Sequence, residues 1–105
     1  VTDLEITKLC AEAMGYKCEP HPNRKPYPHL MWVSNGQNWN PLKDKAQAFE
    51  LVEKLKLQID WASDGKKASA QYYWDYPLIE SDDSPDLLRA VCECAAKVQK
   101  AKGEL

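Results

Sequence analysis

No run in this chain approaches the roughly 18 consecutive apolar residues that a membrane-spanning helix needs, so no membrane partner is expected. The start shows no basic segment followed by an apolar one, so a secretory signal is not expected and a host cytoplasm is. Glycine is scarce, with 4 in 105 residues. Gly15, Gly36, Gly65 and Gly103 each fall at a turn or helix end, and neither a G-x-G-x-x-G fingerprint nor a phosphate-binding loop exists, so no nucleotide cofactor is indicated. A basic excess is missing too. The net charge is −2, and from residue 80 onward six acids (Glu80, Asp82, Asp83, Asp86, Glu93, Glu104) face four bases (Arg89, Lys97, Lys100, Lys102). Proteins that neutralise phosphates show a basic stripe, and only Arg24-Lys25 and Lys66-Lys67 come near one, so direct nucleic-acid binding is not expected.

Catalytic and metal-binding sets are thin. The only two histidines, His21 and His29, lie in or beside a run holding Pro20, Pro22, Pro26 and Pro28, with no serine or cysteine elbow next to them. Solvated loop histidines are the plainer account, and the chain is not expected to be an enzyme. Four cysteines could suggest zinc, but Cys18-Glu-Pro-His21 is half a site. Cys92 and Cys94 would point about 200° apart on a helix, where each residue advances by roughly 100°. Free, mostly buried thiols are expected, with neither disulfide nor metal.

Three stretches carry the organisation. Thr2-Asp-Leu-Glu5 matches a capping box, and Ile6, Leu9, Cys10, Ala13 and Met14 follow at helical spacing until Gly15 stops the turn. Asn40-Pro41 reads as the start of a second helix whose stripe is Ala48, Leu51, Val52 and Leu55, widened by Phe49, with Lys43, Asp44, Gln47, Glu50 and Lys54 on the wet side. Ser84-Pro85-Asp86 opens a third, with Leu88, Val91, Cys92, Ala95 and Val98 inward and lysines in the last turn, as the helix dipole favours. In that order the segments 9–16, 40–55 and 84–96 resemble the phage ABA-sandwich domain, a family of small bacteriophage and prophage proteins. The resemblance implies a sheet layered between helices and a phage or prophage origin. It implies no common activity.

Between the helices the period changes. Residues 19–28 read as an irregular proline loop. Leu30-Met-Trp-Val33 suits a buried strand, Asn35-Gly36 a hairpin turn, and 37–39 a brief return strand. Leu57, Ile59 and Trp61 then alternate with Gln58, Asp60 and Ala62; Asp64-Gly65 turns the chain; and Ala68, Ala70, Tyr72, Trp74 and Tyr76 alternate with polar neighbours. The expectation is one α+β domain over 1–105, with an antiparallel sheet of about four strands and three amphipathic helices, ordered helix, strands, helix, strands, helix. One core should hold Leu9, Met14, Leu51, Val52, Ile59, Trp61, Val91 and Cys92, with Trp74 on the apolar side of its hairpin.

What folding leaves unexplained is aromatic and acidic. Tyr73 falls on the polar sheet face, and Tyr27 and Trp39 in or near loops; exposed Tyr and Trp typify binding hot spots. The run Glu80-Ser-Asp-Asp-Ser-Pro-Asp86 could be a solvated loop or, through Asp82, Asp83 and Asp86, a surface that competes for a basic site on a host protein. These features fit a non-enzymatic phage accessory protein that binds a host protein or complex. An anti-defence role such as inhibition of a CRISPR complex is one concrete version, resting on genomic analogy. The other class is a small-ligand binder that holds a nucleotide or metabolite by stacking on aromatic rings.

Overall fold

The computed structural model describes residues 2–20, 31–33, 38–73 and 79–103. Among these residues the chain runs α1 (Asp3–Ala13), β1 (Cys18–Pro20), β2 (Met31–Val33), β3 (Asn38–Trp39), α2 (Lys45–Leu55), β4 (Gln58–Trp61), β5 (Ala68–Tyr72), β6 (Ile79–Glu80) and α3 (Leu87–Gly103). This is an α+β fold. The strands form two three-stranded antiparallel sheets, β1-β2-β3 and β4-β5-β6, where one sheet of about four strands was expected. Pro20 ends an edge strand, a place where its missing amide donor costs nothing, so residues 19 and 20 belong to a sheet and not to the loop. The expected features at His21, Tyr27, His29, Asn35-Gly36, Trp74 and Tyr76 lie outside the described residues.

Each helix end has a local cause. The Thr2 hydroxyl accepts from the Glu5 amide at 3.1 Å and starts α1. At the other end Gly15 takes φ +80°, the Tyr16 amide donates to the Ala11 carbonyl (2.9 Å), and the Gly15 amide to Glu12 (3.0 Å). These two bonds are the Schellman stop that glycine permits. The second helix starts later than its Asn-Pro signal suggests. The Asn40 carbonyl accepts from both the Lys43 and Asp44 amides, making a turn, and Asp44 then caps α2 by accepting from the Gln47 amide at 3.1 Å. The third start also shifts, for the Asp86 carboxylate accepts from the Leu88 and Arg89 amides (3.0 and 3.3 Å). Ser84 is instead engaged in a bridge to Ala68.

Packing joins the sheets through the helices: α1 touches β1 and β2, α3 touches β5 and β6, and α1 and α2 both pack on α3. Being central, α3 buries nearly every side: Ala90, Val91, Cys92, Cys94, Ala95, Ala96 and Val98 are all inside. Both Cys92 and Cys94 are therefore buried although they point in different directions. The Cys10 thiol donates to the Cys92 carbonyl (3.4 Å), while the Cys94 thiol reaches the Ile79 carbonyl (3.8 Å).

Leu51, Val91 and Cys92 lie in the core as expected, and Leu9, Met14, Val52 and Ile59 pack against it partly buried. Trp61 does not, at 57 % exposed. It shares a sheet face with Leu57 and Ile59, but α3 covers β5 and β6 and that cover does not reach the end of β4. Phe49 is also exposed, one position off the Ala48, Leu51 and Leu55 stripe. Gln47, assigned above to the wet side, is buried. Its amide donates to the Asn38 carbonyl (2.6 Å) and accepts from the Asn40 amide (2.7 Å), clamping β3 to α2.

Candidate functional site

The predicted recognition residues do not form one surface. Tyr27 lies outside the described residues. Trp39 is a correction: it is fully buried, with its indole N–H donating to the Thr7 carbonyl at 3.0 Å and its ring edge-on to Tyr16 at 5.4 Å. Lying just past a turn in sequence, it is drawn inward because α1 buries a second face, Thr7 and Ala11, against it. The Thr7 hydroxyl is satisfied within the helix by the Asp3 carbonyl (2.8 Å), which lets a polar residue line that contact. Tyr73 is 52 % exposed, just past the end of β5. Next to it Gln71 is buried, its amide folded over β4 toward the Gln58 carbonyl (3.0 Å) and the Asp60 carboxylate (3.2 Å). Asp82 and Asp83 are exposed. Asp86, exposed too, is occupied as the cap of α3.

Among the described residues, Asp82 alone of this set lines a concavity. This is a groove of about 480 Å³ between α1 and α3. Its floor is Ile6, Leu9 and Ala96. The walls are Glu5, Lys8 and Glu12 from α1 and Arg89, Glu93, Lys97 and Lys100 from α3, with Asp82 at the rim. Helical spacing explains the walls, since residues three or four apart share a face. Glu5, Lys8 and Glu12 follow that spacing, as do Arg89, Glu93, Lys97 and Lys100. Each stripe was visible in sequence as a wet helix side. That the two stripes face each other depends on contacts between segments more than 80 residues apart, which no local pattern reveals.

Several of these charges are held in place. The Arg89 guanidinium bonds Asp3 across the helices at 2.9 Å and Glu93 one turn on at 3.1 Å. The Asp3 bond, aided by both carboxylates, raises the Arg89 pKa further. All three side chains are partly exposed, so each bridge is worth at most about 1 kcal/mol. The Lys97 ammonium donates to the Glu80 carbonyl (3.0 Å), and Lys102 lies over the Tyr72 ring (5.6 Å).

Three of the four thiols are held neutral. Hydrogen bonding with Cys92, then burial, raises Cys10 well above its ordinary value. Burial pushes Cys94 up to about 12, and burial with the nearby Glu12 charge raises Cys18. A protonated thiol is a poor nucleophile and a poor metal ligand. No family model matches the chain, and no curated protein or solved structure is similar to it.

Proposed function

We propose that the protein is a non-enzymatic phage or prophage accessory protein that binds a host protein or protein complex. The α1–α3 groove and the acidic rim at Asp82 and Asp83 form its working surface. The observation that carries this reading is the groove itself: an apolar floor between two charged helix stripes, continuous at Asp82 with the exposed acids Glu80 and Asp83. An apolar centre with a polar rim is the anatomy of a protein-recognition patch. Neutral thiols are consistent with binding rather than nucleophilic catalysis. The phage origin and the anti-defence version, inhibition of a CRISPR complex, come from the order of the three helix segments and from genomic analogy.

Affinity capture from a bacterial host tests the reading. The wild-type chain should retain a partner that the Lys8→Glu/Lys100→Glu double variant loses, because both side chains are exposed and line the groove. Equal capture by both would remove the groove from the account.

A small ligand is the second reading, favoured by one number. The groove's 480 Å³ falls in the range of about 300–1,000 Å³ common for such sites. Its lining carries no aromatic ring, so a ligand there would be held by charge on both walls and not by stacking. Native mass spectrometry separates the two readings: a retained small molecule supports this one.

A further inference from the structure

We propose that the outer edge of β4 is a docking site for an extended peptide segment of a partner protein, added beside β4 as a fourth strand of the β4-β5-β6 sheet. The direction of the backbone groups comes from the ladder. The Ala62 amide donates to the Lys67 carbonyl (2.8 Å), and Asp60↔Ser69 and Gln58↔Gln71 follow at two-residue steps, so these residues bond inward to β5. Ala68 and Ala70 bond on the other side of β5, to Ser84 and Ser81. Ile59 and Trp61, opposite Ala70 and Ala68, therefore turn their N–H and C=O groups away from the sheet. No described residue bonds to them there.

The two edges of this sheet are treated differently. At β6, α3 packs along the strand and Lys97 donates to the outward-facing Glu80 carbonyl. Within β4 there is no proline or lysine of the kind that blunts an open edge, no helix among the described residues covers it, and the strand ends in a largely exposed tryptophan. Strand addition takes its affinity from main-chain bonds and its specificity from alternate side chains. An incoming segment would set one apolar side chain against Trp61 and, on the other face, a basic or neutral polar one opposite the exposed Asp60.

A second copy of this chain is a poor occupant, because each symmetric antiparallel register has an obstacle. Pairing Ile59 with the partner's Trp61 sets Asp60 against Asp60 at about 4.5 Å between Cα atoms, a like-charge contact. Centring on Ile59 brings the partner's Trp61 opposite Leu57, whose amide already donates to Val52 (3.0 Å) at the end of α2. Centring on Trp61 needs residue 63 extended, yet it lies in the turn closed by the Gly65 amide on the Ala62 carbonyl (2.8 Å). A foreign segment finds the same Leu57 amide taken and the same turn at residue 63, but it escapes the Asp60 contact and can pair fully with both Ile59 and Trp61.

The test is selection of binders from a displayed random-peptide library, followed by amide exchange of the protein with a selected peptide bound. Selected sequences should alternate apolar with basic or polar residues and protect the Ile59 and Trp61 amides. Trp61→Pro, which removes an outward donor without touching the ladder, and Trp61→Lys should each weaken binding about tenfold with melting unchanged. Asp60→Lys should shift the selected residue opposite it from basic to acidic. Lys8→Glu/Lys100→Glu should leave this binding intact, which separates its failure from failure of the groove. The proposal is overturned if no peptide is enriched, if protection falls elsewhere, or if neither Trp61 variant matters. A concentration-dependent dimer abolished by Trp61→Lys would likewise overturn it in favour of a second copy.

Discussion

Trp39 separates a loop hot spot from a core residue by energy. The ring is fully buried, bonded to Thr7 and set edge-on to Tyr16. Trp39→Ala should cost about 3–5 kcal/mol, the usual penalty for emptying an aromatic core site. A chain of 105 residues has about 5–15 kcal/mol of stability in all, so the variant loses about a fifth of it or more. At about 4–8 °C per kcal/mol, the melting temperature should fall by more than about 12 °C. Trp39→Phe keeps most of the ring but loses the indole bond, a net contribution of about 0.5–1.5 kcal/mol. Urea unfolding followed by far-UV circular dichroism gives both numbers. A Trp39→Ala protein within about 1 kcal/mol of wild type would refute the core placement and return Trp39 to the surface.

Gln47→Leu takes away the partner of both the Asn40 amide and the Asn38 carbonyl, and should cost about 1–3 kcal/mol in the same unfolding assay although leucine is the better apolar residue. Because folding keeps Cys94 protonated up to about 12 against an ordinary 9.0, its contribution is full below pH 9 and is lost as pH climbs through that window; urea midpoints should fall there, less steeply in Cys94→Ala. Thiol labelling of the native protein should reach Cys18 first, since it alone is partly exposed, and all four after unfolding. Arg89→Met, which removes both half-exposed bridges, should cost no more than about 2 kcal/mol, and less in high salt.

Local signals placed the elements well. Thr2, Gly15 and the switch of period after Leu57 mark boundaries that the structure keeps, since capping and alternation depend on neighbours a few residues away. Errors arose where tertiary contact overrides locality. Asn40-Pro41 initiates a turn instead of α2, and Asp44 caps the helix. Trp61 alternates correctly yet stays outside because no helix reaches the end of β4. Gln47 and Thr7 are polar residues buried with their bonds satisfied, which periodicity reads as wet. The groove was half visible: its two charged stripes are helical patterns, but their juxtaposition depends on how α1 and α3 pack. Only Asp82 of the expected binding residues turned up there, through its position beside the start of α3.

The central claim is that the α1–α3 groove carries recognition. Backbone amide exchange of the protein, alone and with a host partner captured by it, tests that claim most directly. Slowed exchange along α1 and α3 where Lys8, Glu12, Glu93 and Lys100 line the groove, and around Asp82, is the predicted result. Protection absent from both helices and concentrated on the exposed side of α2 at Glu50 and Lys54 would contradict it, and would make that helix face the interface.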